Sequence, residues 1–309
     1  MDTFIKDTFT PVIIGIPETE RLIDKFLESL EGKSKETRGT HQRCLRDFIR
    51  FLVSDKKFKY LVADVERYKH YLISEKNMAE VSMSQYLSSL RRFCSYLVES
   101  GILEKNPAKR VSGGKRPQKH SRQHITLDEL QKLVDVVQGK TIEHKRDKAI
   151  IYLIIGCAVS ELEISRMNVG DIVHHGGQAF VQVHGKGKNA KDSTVPIPQP
   201  VLAAIQSYLD ARDSVTPDSA LIESKGRRSR TKKLTIRALR QCVHNRLIES
   251  GIKHARGMNV TPFSLRHTAA VMLAEMGLSV EQLMKRLRLE WRPTAMIYIQ
   301  QAGTLGIAS

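Results

Sequence analysis

The chain has 309 residues, 41% hydrophobic and 27% charged, a balance suited to two domains with buried cores and contrary to wholesale disorder. Its longest apolar run, Ala149 to Ser160, is 12 residues against the roughly 18 that span a bilayer. The start MDTFIKDTF carries Asp2 and Asp7 rather than a basic patch before an apolar stretch, so neither a membrane span nor a secretory leader is expected and a cytoplasmic location is. Lys and Arg number 50 against 33 Asp and Glu, a net charge of +17, which suits an extended polyanion and makes nucleic acid the leading partner.

In chain order, residues 1–19 read as an N-terminal extension, and a small helical domain is expected over 20–112. From Thr37 to Val53, Cys44, Leu45, Phe48, Ile49 and Leu52 fall on one stripe at helical spacing. Val65, Tyr68 and Leu72 repeat the pattern over 62–74, and Tyr86, Leu90, Phe93 and Leu97 over 82–100, where Gly101 is placed to end the helix. The polar faces are rich in arginine, including Arg91 and Arg92, which suits phosphate contacts and ordinary solubility alike. Between Lys105 and His124 lie seven basic residues, Lys115 and Arg116 among them, with no acid, and Pro107, Gly113, Gly114 and Pro117 break regular structure. Residues 113–124 therefore read as a cationic linker.

The second domain, 125–309, is expected to open at Thr126-Leu-Asp-Glu129, a capping box. A helix over about 146–156 is apolar nearly all round and belongs in the core. Phe180 to Val183 and Thr194 to Ile197 flank the loop Gly185-Lys-Gly-Lys-Asn-Ala-Lys-Asp192, a strand, loop, strand pattern. A second acid-free basic run, Lys225 to Arg240, contains Arg227 and Arg228, and the remainder is helical in period. The fold class is thus mainly α with a small β hairpin. Cys44, Cys94, Cys157 and Cys242 show no ligand or CxxC spacing and read as buried reduced thiols.

Four motifs follow one another in the second domain: Gly156-Cys-Ala-Val-Ser-Glu-Leu162, Gly185-Lys-Gly-Lys188, Thr261-Pro-Phe-Ser-Leu-Arg-His-Thr268 and Tyr298. Their order and spacing resemble the tyrosine recombinases, the phage-integrase-like site-specific recombinases, over nearly the whole chain. The resemblance implies a helical, SAM-like core-binding domain before a mixed α/β catalytic domain. It also implies DNA cleavage and rejoining through a 3′-phosphotyrosyl link. Tyr298 matches the nucleophile, Arg266 the second family arginine, Lys186 the general acid on the hairpin, and Glu161 an acidic residue of the architecture. Lys188 and Lys191 fall beside Lys186 as phosphate neighbours. The implied partner is double-stranded DNA, bound by a homotetramer or a hetero-complex with a related recombinase at the nucleoid, with no metal or nucleotide cofactor.

Three positions depart from the family pattern. The first arginine falls on Ala158, the histidine three residues before Arg266 on Phe263, and the His or Trp nine residues before the tyrosine on Leu289. Trp291, seven residues before Tyr298, and His267 are candidates to compensate. An oxyanion-hole donor is worth ~10²–10³ in rate, so an alternative reading is a DNA-binding accessory member with weak or absent cleavage. Taken alone, Tyr298 also reads as an amphipathic core residue and Lys186 as a solvated loop lysine; the aligned spacing to Arg266 and the hairpin context set the chemical readings level with these.

Overall fold

A computed structural model describes residues 10–114, 123–185, 190–224 and 232–305, in two units divided between Pro117 and Gln118. Four helices make the first: α1 Ile16–Glu28, α2 Lys35–Ser54, α3 Val62–Ser74 and α4 Glu80–Glu99. On α2, Cys44, Leu45, Phe48, Phe51 and Leu52 are buried, while Ile49 only borders the core. Val65, Tyr68 and Leu72 of α3 meet Leu90, Phe93 and Leu97 of α4 in the same core, and Gly101 leaves α4 at φ 72°. Helix α1 begins inside the stretch read as an extension. Pro17 presets the helical φ of its first turn, and Thr19, Leu22, Ile23 and Phe26 are buried. Leu61, just before α3, cannot cap it. The buried Asp64 does so instead, accepting from the backbone N–H groups of Leu61 and Lys59 at 2.9 and 2.7 Å.

Helix α5, Leu127–Asp135, opens the second unit with the expected capping box: Glu129 N donates to Thr126 Oγ1 and Thr126 N to the Glu129 carboxylate. The apolar helix is α6, Ile142–Cys157, in the core against α8, Gln199–Leu209, α9, Ile236–Glu249, and α11, Pro262–Glu275. A Cβ at Gly156 would lie 2.4 Å from Val201 Cγ2, so the close approach of α6 and α8 depends on that glycine. Helix α7 spans Glu161–Arg166. The expected strands are two of three: β1 Ile172–His175, β2 Gln178–Val183 and β3 Ser193–Ile197 form an antiparallel sheet in that order. Strand β1 has only four residues and ends in exposed histidines, so it carries no clear alternation in the sequence. Gly176 and Gly177, at φ 57° and 77°, turn it into β2.

Helix α10, Ile252–Arg256, links α9 to α11. Helices α11, α12 (Val280–Leu287) and α13 (Arg292–Gln300) enclose a second apolar cluster containing Ala158, Ala269, Ala270, Leu287 and Tyr298. No described helix is long and apolar enough to cross a membrane. Cys44, Cys94 and Cys157 are free and buried as expected, whereas Cys242 is only partly so.

Candidate active site

The site starts where α6 ends. Ala158 takes a left-handed conformation at φ 50°, and two residues later Ser160 caps α7. Ser160 N and Oγ donate to Glu163 Oε2 at 2.6 and 2.9 Å, and Glu163 N donates to Ser160 Oγ at 3.3 Å. This reciprocal cap fixes a carboxylate with only 4% of its side chain exposed.

Two guanidinium groups converge on that carboxylate and on the carbonyl of Ala158. From α11, Arg266 Nη1 donates to Ala158 O at 2.9 Å and Glu163 Oε2 at 3.0 Å, and its Nη2 donates to Leu287 O at 2.6 Å. From the end of α12, Arg288 Nη2 reaches the same two acceptors at 2.9 and 3.0 Å. Its Nε donates to Glu163 Oε1 and its Nη1 to Arg286 O. Burial would raise the Glu163 pKa, but the hydrogen bond and charge of Arg288, the charge of Arg266 and the Ser160 N–H outweigh it and hold the carboxyl below its ordinary value. Burial likewise pulls the Arg266 pKa down, partly offset by Glu163.

Tyr298 lies on α13, 4% exposed. Its hydroxyl is 2.9 Å from His267 Nδ1, and the His267 ring meets the edge of Phe263 with centroids 4.7 Å apart. Burial pushes the Tyr298 phenol up to about 12, with the Arg266 charge acting in the opposite sense. Nδ1 unprotonated accepts the phenolic hydrogen, so the geometry provides a proton acceptor for a hydroxyl that solvent barely reaches.

Of the residues singled out by sequence, Tyr298, Arg266 and Ala158 thus come together in one region of the second unit. Lys186, Lys188, Lys115, Arg116, Arg227 and Arg228 lie outside the described residues. Arg166 donates to the Gly185 carbonyl at 2.8 Å and so ties down the root of the hairpin that carries Lys186. Two further expected DNA contacts also have partners within the chain. Lys191 is ion-paired with the buried Asp171, and Arg91 donates through Nε and Nη2 to the carbonyls of Ala108 and Val111 at 3.1 and 2.9 Å. Arg92 is exposed. Glu161 pairs with Arg240 at 3.2 Å. Leu289 packs against the Tyr298 cluster, and Trp291, before the first turn of α13, is 48% exposed.

Glu163 and Arg288 went unnoticed in the sequence. Ser160-Glu-Leu-Glu163 carries the capping-box signature that marks Glu163. Nothing local marks Arg288, an arginine in a left-handed conformation (φ 54°) brought in by the turn after α12. Beyond α13 the described chain packs back on its own unit: Leu305 is buried and its N–H donates to Glu275 Oε1 at 2.6 Å.

Residues 123–304 match the phage integrase family and residues 21–112 the phage integrase SAM-like domain. The chain belongs to the phage integrase family. It is 28% identical over 261 residues to tyrosine recombinase XerC of Escherichia coli O1:K1, covering 84% of this chain and 83% of that one. The fold is shared with the XerH site-specific recombinase bound to a palindromic difH substrate, at TM-score 0.71 and 15% identity over 94% of this chain and 83% of that. A lambda integrase dimer bound to a core site gives 0.68 and 15% over 92% and 96%. By family the chain is a tyrosine recombinase, whose class of activity is site-specific DNA recombination by strand transfer.

Proposed function

We propose that this chain cuts and rejoins DNA through Tyr298. The carrying observation is that Tyr298 Oη sits 2.9 Å from His267 Nδ1, on a helix packed against the one that presents Arg266. In the forward step Tyr298 Oη bonds to a backbone phosphorus as its proton passes to His267. The P–O5′ bond breaks, and Lys186 protonates the leaving 5′ oxygen. The reverse step restores the phosphodiester without water or an external energy source. Arg266 has five N–H donors, three of them committed to Ala158 O, Glu163 and Leu287 O, which leaves its Nε and one Nη2 hydrogen for phosphate oxygens. With Tyr298 4% exposed, DNA binding has to open the packing around α13 before attack. On DNA the working unit is an oligomer, a homotetramer or an assembly with a related recombinase, and Lys188, Lys115, Arg116, Arg92, Arg227 and Arg228 contact phosphates.

A second reading is a DNA-binding accessory subunit that does not cleave. The replacement of family polar positions by Ala158, Phe263 and Leu289 favours it, two of them packed with Tyr298 in apolar surroundings. Lost transition-state donors cost ~10²–10³ each, though not additively. The deciding experiment incubates the purified chain with labelled, nicked duplexes carrying the ends of its own element and resolves protein–DNA adducts under denaturing conditions. An adduct with the wild type that Tyr298→Phe abolishes supports cleavage. No adduct, despite DNA affinity that falls linearly with log salt, supports the accessory reading.

A further inference from the structure

We propose that Arg288, entering from α12 where Ala158 brings no guanidinium from α6, is a positioning residue of the phosphate site, and that by sharing Glu163 it leaves that site a net positive charge. The proposal deepens the strand-transfer reading and rests on it for the identity of the phosphate as DNA.

Charge balance carries the argument. Were Arg266 alone with Glu163, the two would form a neutral buried pair, and an incoming phosphate would meet no net positive charge there. Arg288 forks onto both carboxylate oxygens through Nε and Nη2, so Glu163 is shared and the trio of Arg266, Arg288 and Glu163 sums to +1. Arg266 and Arg288 also share the Ala158 carbonyl, each at 2.9 Å, so the second guanidinium arrives at the backbone of residue 158. The side chains of Arg266 and Arg288 are only 13% and 10% exposed, where charges act through a lower dielectric than in water.

A third cation reinforces the field. Arg286, in the last turn of α12, is half-buried. Burial and the charge of Arg288 both pull its pKa down, with Cys157 the opposing influence. Arg288 is a positioning residue in this scheme: three of its N–H groups are directed at Glu163 and Ala158, and it acts on the phosphate through the net positive charge it leaves on the trio.

The test uses the full chain labelled with ¹⁵N-arginine and inorganic sulfate as the probe, added at constant ionic strength. The Arg266 Nε–H resonance is identified by its loss in Arg266→Lys. A saturable shift is expected in the wild type. Arg288→Ala, and Arg288→Gln as a variant that keeps an amide donor to Glu163, should weaken sulfate binding about 10-fold or more as the site loses its net positive charge. Adding Glu163→Gln to Arg288→Gln removes the carboxylate that would otherwise neutralise Arg266, and binding should return to within about threefold of wild type. A merely structural brace predicts the opposite, because the double variant has lost more of it. The proposal is overturned if the wild type shows no saturable shift, if both single variants bind as the wild type does, or if the double variant binds no better than Arg288→Gln. The sulfate titration is independent of DNA cleavage. Absence of the Tyr298 adduct alongside the expected titration would therefore overturn strand transfer and leave the charge balance standing.

Discussion

Glu163→Ala is the perturbation that most directly probes how the site is built. Five hydrogen bonds end on this carboxylate, from Arg288 Nε and Nη2, Arg266 Nη1, and Ser160 N and Oγ. Truncation leaves two guanidinium groups buried side by side, and removing one partner from a buried ionic cluster costs about 3–5 kcal/mol. For a unit of this size ~2–4 °C of melting temperature accompanies each kcal/mol, so the transition should fall by about 6–20 °C. The chain has one tryptophan, Trp291, which lies in the second unit, so its fluorescence in a urea melt reports on that unit alone. The pH dependence has a definite sign. The Glu163 carboxyl is held below its ordinary value of 4.5, so its contribution is fully present above that value and disappears as pH falls through the lower, folded-state value. The wild type should therefore lose stability more steeply below about pH 4.5 than Glu163→Ala. A loss under about 1 kcal/mol at neutral pH, or parallel acid limbs for the two proteins, would refute the account of Glu163 as the common acceptor.

Gly156→Ala should cost the second unit about 1–3 kcal/mol by overpacking, because the new Cβ meets Val201 Cγ2 at 2.4 Å; Val201→Ala in the same chain should recover most of it, read in the same urea melt. Tyr298 is held neutral up to about 12, so the ultraviolet difference between wild type and Tyr298→Phe should show no phenolate below about pH 11. A difference titrating near the ordinary tyrosine value would show that the hydroxyl is not enclosed. Arg91→Ala should lower the melting transition of the first unit, since two backbone carbonyls lose charged donors worth together about 2 kcal/mol. Calorimetry that left this transition unmoved while DNA affinity fell tenfold would show that Arg91 serves DNA rather than the fold.

The helical stripes of α2, α3 and α4 and the capping box of α5 were legible because each is a local pattern whose period or spacing is its own cause. Helix α1 went unread although its buried Thr19, Leu22, Ile23 and Phe26 fall at helical spacing, its first turn lying in the stretch set apart as an extension, and β1 went unread because four residues carry too little alternation. The site divides along the same line. Tyr298 and Arg266 were singled out by the resemblance of their motifs to the family pattern, and the capping role of Glu163 was written in Ser160-Glu-Leu-Glu163. What no local pattern contains is the meeting of Arg288 with Glu163 across 125 positions. That contact depends on where α12 stops relative to α7, which is a property of packing.

This arrangement bears on whether the altered site is a remnant or a working variation. A buried carboxylate holding two guanidinium groups is a poor way to stabilise a fold, since desolvation consumes most of the Coulombic gain and apolar groups of the same volume often serve better. The surroundings already supply such groups: Ala158, Ala269, Ala270, Leu287 and Tyr298 pack in one apolar cluster. A site relieved of chemistry would lose nothing in stability by extending that packing over Glu163, Arg266 and Arg288. Instead Arg266, Arg288 and Glu163 together retain net positive charge, and among the described residues two Arg266 hydrogens have no acceptor. Those are the properties a phosphate requires and a structural brace does not, and on the strand-transfer reading proposed above the roles of the positions occupied by Ala158 and Phe263 would fall to Arg288 and His267.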